Sequence, residues 1–370
     1  MSFLPEALRL HREPLEERMA AATGHDALRA LEHERVGEDG FLALLSPAAG
    51  QHLEAMAGRA RDLTLRRFGR TVSLFTPLYV SNHCANHCRY CGFAAPNPIP
   101  RSRLTMDEVR AEGEAIAATG LRQLLLLTGE SPARAGVDYL EDCVRTLRPL
   151  FPSMAVEVFP MATDDYKRLA AAGVDGLTVF QETYDPDLYA ELHPAGPKRD
   201  YAWRLDTPMR GAEAGLRVVN IGALLGLTDW RREIYVTGLH AAWLMKRYPG
   251  VDVAASLPRM RPHAGAFQPA RPVSDRELVQ AMTALRIFLP RLSITISTRE
   301  TPAFRDNILP LGVTRMSAGV STAVGGHAKA AETGQFEISD PRSVAEVCAM
   351  LKGRGYQPVF KDWEPLEASA

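Results

Sequence analysis

From about residue 72 onward, short apolar runs alternate with longer stretches in which apolar residues recur at helical spacing. The runs fall at 72–80, 122–128, 155–160, 176–181, 217–225, 251–257, 292–297 and 313–317. Most are continuous rather than alternating, like the leucines of 124–127, which predicts strands buried on both faces and hence a parallel sheet. Helices are expected over 105–119, after Gly129-Glu130 to about 150, and over 163–172, 201–214, 229–248 and 342–353, with a longer loop through Pro197 after the fourth strand. Thr105-Met-Asp-Glu108 and Ser274-Asp-Arg-Glu277 are capping boxes that open two helices. Thr301-Pro302 reads as the N-cap and first residue of another. Eight such units make an α/β fold of the (β/α)8 TIM-barrel type. A doubly wound open sheet competes on pattern, but the count favours closure.

Residues 1–70 read differently. Leu4, Leu8, Leu15, Leu28, Leu31, Phe41, Leu42, Leu44 and Leu45 recur mostly at one-face helical spacing, and Pro47 closes a short helix. The expected organisation is an N-terminal helical layer over 1–70, packed on a barrel over 71–370 that ends in a short tail.

Composition narrows the function classes. With 370 residues and 46% apolar content, the chain can bury a barrel-sized core. A formal net charge of -1 lacks the basic excess of a nucleic-acid binder. No apolar run approaches a membrane span, and charged residues from Glu6 to Glu17 leave no signal-peptide core. Five cysteines, three of them clustered, make no disulfide framework. Cys143 and Cys348 are expected as small buried hydrophobes, and a reducing cytoplasmic location follows.

The cluster is the chemical centre of the chain. Cys84, Cys88 and Cys91 form a C-x3-C-x2-C array on the loop after the first strand. Thiolates select zinc, copper(I) or iron–sulfur clusters. Three cysteines are one too few for a closed zinc site or a fully ligated [4Fe-4S] cluster, so a cubane would keep one iron open. A zinc site could recruit His83 or His87, although the two separated ligand pairs of a zinc ribbon are missing.

With Tyr90 before Cys91, the array resembles the C-x3-C-x-aromatic-C signature of the radical S-adenosylmethionine (SAM) enzymes. That resemblance implies a [4Fe-4S] cluster on Cys84, Cys88 and Cys91 whose open iron chelates SAM. Thr128-Gly129-Glu130 resembles the family's Gly-Gly-Glu element for the SAM amino group, with Thr128 replacing the first glycine. Gly222-Ala-Leu224-Leu-Gly226-Leu-Thr-Asp229 resembles its adenine motif. Glu157, isolated in an apolar strand, reads either as half of an ion pair with a neighbouring arginine or as a SAM contact. Glu182, which ends the fourth strand, is expected among the catalytic residues, and Lys198 or Arg204 is expected at the SAM carboxylate. Arg299 suits a substrate carboxylate, with Ser317 and Ser321 as supporting donors; its alternative is a surface pair with Glu300.

Within that superfamily the chain resembles the aromatic amino acid lyases. The resemblance is carried by 73–93, Phe180-Gln-Glu-Thr-Tyr184, His193-Pro-x-Gly-Pro-Lys198, Tyr201-x-Trp203-Arg204, Ile221 to Leu227 and the tail Gln357-Pro-Val-Phe-Lys361-Asp362-Trp363-Glu364. It implies radical cleavage of the Cα–Cβ bond of L-tyrosine to dehydroglycine and p-cresol, SAM becoming 5′-deoxyadenosine and methionine, for the thiazole of thiamine. It further implies thiazole synthase as acceptor and reduced flavodoxin or ferredoxin as donor. A relative that matures [FeFe]-hydrogenase carries a second cysteine-bound cluster near its C-terminus; only Cys348 follows Cys143 here, which disfavours it. Tryptophan cleavage, or another radical SAM carbon-skeleton reaction, is the alternative within the superfamily. A non-catalytic zinc-binding barrel is the alternative outside it.

Overall fold

The computed structural model describes residues 2–261, 267–329 and 334–361. Pro262 and the tail residues Asp362, Trp363 and Glu364 lie outside them. Among the described residues, nine strands follow in order: β1 (Thr71–Ser81), β2 (Gln123–Thr128), β3 (Ser153–Glu157), β4 (Gly176–Glu182), β5 (Val218–Ala223), β6 (Asp252–Ser256), β7 (Ser293–Ile296), β8 (Arg315–Ser317) and β9 (Gln357–Val359). The first eight pair in parallel with their sequence neighbours, and β1 pairs with both β2 and β8, so the sheet closes into the expected barrel. Every second residue turns inward, as Phe75, Pro77 and Tyr79 do on β1 and Ser153, Ala155 and Glu157 on β3. Inside the barrel, Asn220 Nδ2 donates to Ser256 Oγ at 2.8 Å and to Thr178 Oγ1 at 3.3 Å, so these three buried polar side chains satisfy one another.

Helices alternate with the strands on the outside. Both expected capping boxes form, at Thr105 and Ser274, and Thr301 caps the helix that begins at Pro302.

Four local readings need correction. The helix expected directly after Gly129-Glu130 begins only at Val137 and ends at Leu147. The connection after β4, expected as loop through Pro197, contains the helix Pro186–Leu192, nucleated by Asp185 as N-cap and Pro186 at the first turn. The helix expected over 201–214 is two, Tyr201–Leu205 and Thr207–Glu213; Pro208, which has no backbone N–H, sits in the first turn of the second. The tail forms β9, which pairs with Thr71–Ser73 at the start of β1; Pro358 is tolerated there because the strand is an edge.

Helices Leu4–Arg12 to Leu53–Phe68 lie outside the barrel and share its core. Phe3 stacks on His240, Phe41 stacks on Phe288, and Gln280 donates to Leu44 O and Ser46 O.

Candidate active site

One cavity occupies the barrel and opens at the C-terminal ends of the strands. Its floor includes Gln123, Ser153, Asp175 and Arg315, and its mouth Cys84, Cys88, Cys91, Tyr90, Glu130, Glu182, Lys198, Arg204 and Arg299. Residues from several strand ends therefore converge where barrel enzymes hold their reactive groups.

The cysteine loop is fastened on two sides. Toward β2, Gly129 N donates to Ser81 O at 2.8 Å and Ala85 N to Glu130 O at 3.0 Å. The approach is close enough that a Cβ on Gly129 would sit 2.4 Å from His83 O. Toward the 193–198 segment, His87 N donates to Ala195 O and Lys198 N to Asn86 Oδ1 at 2.9 Å. Gly196, at φ 95°, lies so near that a Cβ would come within 2.6 Å of Ala85 O.

Tyr90, the aromatic residue of the signature, puts its hydroxyl 2.7 Å from His193 Nε2. His193 Nδ1 lies 2.7 Å from Tyr189 O, an obligate acceptor, so Nδ1 carries the proton and Nε2 accepts from the phenol. Burial, with nearby Lys198, pushes His193 down to about 3, which keeps the ring neutral.

Burial raises all three thiols above the ordinary cysteine value, so as free thiols they stay protonated. Their sulfurs do not all lie within 4.8 Å of one another. A tetrahedral zinc with Zn–S of about 2.3 Å would need sulfurs roughly 3.8 Å apart. Among the described residues, no group of three ligand atoms that close joins the cysteines to His83 or His87. Three thiols that reach one cavity from one loop fit the three protein ligands of a [4Fe-4S] cluster with one open iron.

Beside the cysteines sits a buried quartet of two carboxylates and two cations. Lys198 Nζ is 2.6 Å from Glu182 and 3.7 Å from Glu130; Arg204 is 2.8 Å from Glu130 and 3.8 Å from Glu182. Asn86 Nδ2 donates to Glu130 at 2.8 Å, joining the quartet to the cysteine loop. Burial alone would raise both carboxyls, but Lys198 and Arg204 outweigh it and hold them below the usual range. Among the described residues other than glycine, Glu182 has left-handed backbone, at φ 71° beside a bulge between β4 and β5. Backbone held this way costs of order 1–3 kcal/mol and collects at functional sites.

Across the cavity the expected pairings fail. Glu300 binds Arg259 and Arg261, not Arg299, and is almost wholly buried. Arg299 has no ion pair among the described residues; its guanidinium lies 3.6 Å from the Phe336 ring centroid. Glu157 likewise pairs with no arginine. Burial, with Glu182 adding, lifts its carboxyl to about 7. Both face the cavity.

Other expected site residues divide. Leu224 and Ser317 line the cavity, as do Gly129 and Glu130. Gly222 does not: it packs under Ser256 O and the Phe180 ring. Gly226 stands off the wall and accepts from Arg271 N. Ser321 is also off the wall, its hydroxyl accepting from Ala323 N at 3.3 Å. Asn86, His193, Tyr79, Gln335 and Phe336 were missed. Asn86, His193 and Tyr79 sit inside motif segments, so a signal for them existed; Gln335 and Phe336 carry none.

A closed barrel with three cysteines on the loop after β1 and a carboxylate–cation quartet beside them defines a class. Residues 78–236 match the Radical SAM superfamily, and 256–357 match the Biotin and Thiamin Synthesis associated domain. The chain is 41% identical over 365 residues to 2-iminoacetate synthase of Salmonella typhimurium, covering 98% of this chain and 97% of that one. It is 43% identical over 349 residues to the Escherichia coli 2-iminoacetate synthase, covering 94% and 93%. The chain belongs to the 2-iminoacetate synthase family of radical SAM enzymes. Among solved structures, the [FeFe]-hydrogenase maturase HydG from Carboxydothermus hydrogenoformans is similar, with a TM-score of 0.86 and 31% identity over 97% of this chain and 83% of that one.

Proposed function

We propose that the chain is a radical SAM carbon–carbon lyase that cleaves the Cα–Cβ bond of L-tyrosine to 2-iminoacetate (dehydroglycine) and p-cresol, for thiamine thiazole synthesis. SAM is consumed to 5′-deoxyadenosine and methionine. The observation that carries this reading is the cavity itself, with three cysteine sulfurs on one side and, on the other, Arg299 with no ion pair among the described residues. Cys84, Cys88 and Cys91 would hold a [4Fe-4S] cluster, which together with SAM supplies a carbon-centred radical when bound.

The chain's own residues do the rest. Glu130, Glu182, Lys198 and Arg204 offer a balanced array of charges to the amino-acid end of SAM, and Tyr90, Gly129 and Leu224 shape the wall around it. Glu157 presents an unpaired carboxylate to the cofactor. Arg299 takes the tyrosine carboxylate through its two-pronged fork, with Ser317 nearby, and so fixes where the amino group points. The barrel wall keeps bulk water from the radical. Dehydroglycine is an imine that hydrolyses in water, which favours direct transfer to thiazole synthase. Flavodoxin or ferredoxin is the proposed electron source.

Anaerobic reconstitution with iron and sulfide tests this. The parent chain is expected to take up about four irons and to release p-cresol from tyrosine and SAM; Cys88→Ala is expected to do neither. A Cys88→Ala chain that still cleaved SAM would sink the ligand assignment.

A further inference from the structure

Gln335 follows β8 in the chain and lines the cavity. Gln335 N donates to Thr322 O at 3.0 Å, Thr322 Oγ1 donates to Phe336 O at 3.0 Å, and Ala323 pairs antiparallel with Gly334. Its side-chain amide bridges two groups of the site. Tyr79 Oη donates to Oε1 at 2.8 Å, while Nε2 lies 3.7 Å from Cys91 Sγ. The next residue, Phe336, is the ring beneath Arg299.

The orientation of this amide follows from chemistry. A sulfur ligated to metal has no proton to give, so only the NH2 end can face it usefully, and the Tyr79 hydroxyl then donates to the carbonyl end. The phenol therefore fixes the amide.

We infer that Gln335 is a positioning residue that hydrogen-bonds the Cys91 sulfur of the cluster and ties the cluster's reduction potential to occupancy of the Arg299 site. This rests on the cluster reading above. An N–H donor on a ligating sulfur favours the reduced, more negative state of a cluster and raises its potential. Arg299 lacks a carboxylate partner among the described residues, and its guanidinium rests on Phe336. A substrate carboxylate on Arg299 adds contacts to the arrangement in which Phe336 and Gln335 are both seated. A ligand shifts an equilibrium by such differential contact. The cluster is then easiest to reduce when substrate is in place, which limits SAM cleavage in its absence.

The test is the midpoint potential of the reconstituted cluster, measured by redox titration under electron paramagnetic resonance without SAM. Parent and Gln335→Leu are compared with and without tyrosine. Tyrosine is expected to raise the parent's potential. Gln335→Leu should keep its iron, show a lower potential and lose the tyrosine response; with SAM present it should form more than one 5′-deoxyadenosine per p-cresol. Equal potentials and equal tyrosine responses in the two proteins overturn the inference and leave the cluster reading standing. A parent chain that builds no cubane overturns both. Should Gln335→Leu fail to fold, Tyr79→Phe frees the amide to rotate and is expected to lower the potential as well; an unchanged potential there overturns the inference.

Discussion

Arg299 and Glu157 look into the same cavity, and neither has an ion pair among the described residues. A charge kept from water without a partner is costly, which is the ground for proposing that each meets a group from outside the chain. Arg299→Gln should raise KM for tyrosine by roughly 10- to 100-fold, the worth of a charge-assisted pair, without changing iron content. Arg299→Lys should not rescue it, because an ammonium lacks the fork. An unchanged KM would remove Arg299 from the substrate site. Glu157 allows a test by pH. Its carboxyl rises from 4.5 to about 7 on folding, so the folded chain binds the extra proton within that window. Stability is therefore lost as pH rises through the window, and the cost is complete above it. Glu157→Gln should melt higher than the parent in cluster-free protein at about pH 8, with the gain shrinking toward pH 5. A gain that grew on acidification would contradict the assignment. At this scale the sequence shows residue types and local spacing, enough for the cysteines, Tyr90 and Glu130. It does not show that Lys198 N meets Asn86 across 112 residues, or that Glu300 turns to Arg259 and leaves Arg299 with no ion pair among the described residues.

At the scale of elements, the cysteine loop matters more than any strand. It has no regular structure of its own and is held by β2 on one side and the 193–198 segment on the other. Gly196 is where that clamp is tightest. Gly196→Ala would need a left-handed backbone and would drive a methyl into Ala85 O, costing of order 1–3 kcal/mol. The expected result is a lower melting temperature and fewer irons bound per chain, whereas full iron uptake would show that the clamp does not shape the site. The strand pattern was readable because two-sided burial makes each strand a continuous apolar run. The helix Pro186–Leu192 was obscured by the turn residues that cap it, Asp185 and Pro186. β9 is only three residues long and contains Pro358, so no periodicity marks it.

For the whole molecule, closure of the β1–β8 sheet turns strand ends far apart in sequence into one rim. That is why motifs at 84–91, 128–130, 182, 198–204 and 299 become a single site. The helices before β1 belong to the same body, because residues from Phe3 to Leu63 are continuous with the barrel core. They pack on the outer helices, and none of their residues lines the cavity. No helix among the described residues is long and apolar enough to cross a membrane. The central claim is that this cavity directs radical chemistry onto tyrosine. Its most direct test is anaerobic incubation of reconstituted protein with SAM and reductant, with tyrosine or tryptophan supplied separately and products counted. The account predicts p-cresol and 5′-deoxyadenosine in equal amounts from tyrosine and no aromatic fragment from tryptophan; an indole product with no p-cresol would contradict it.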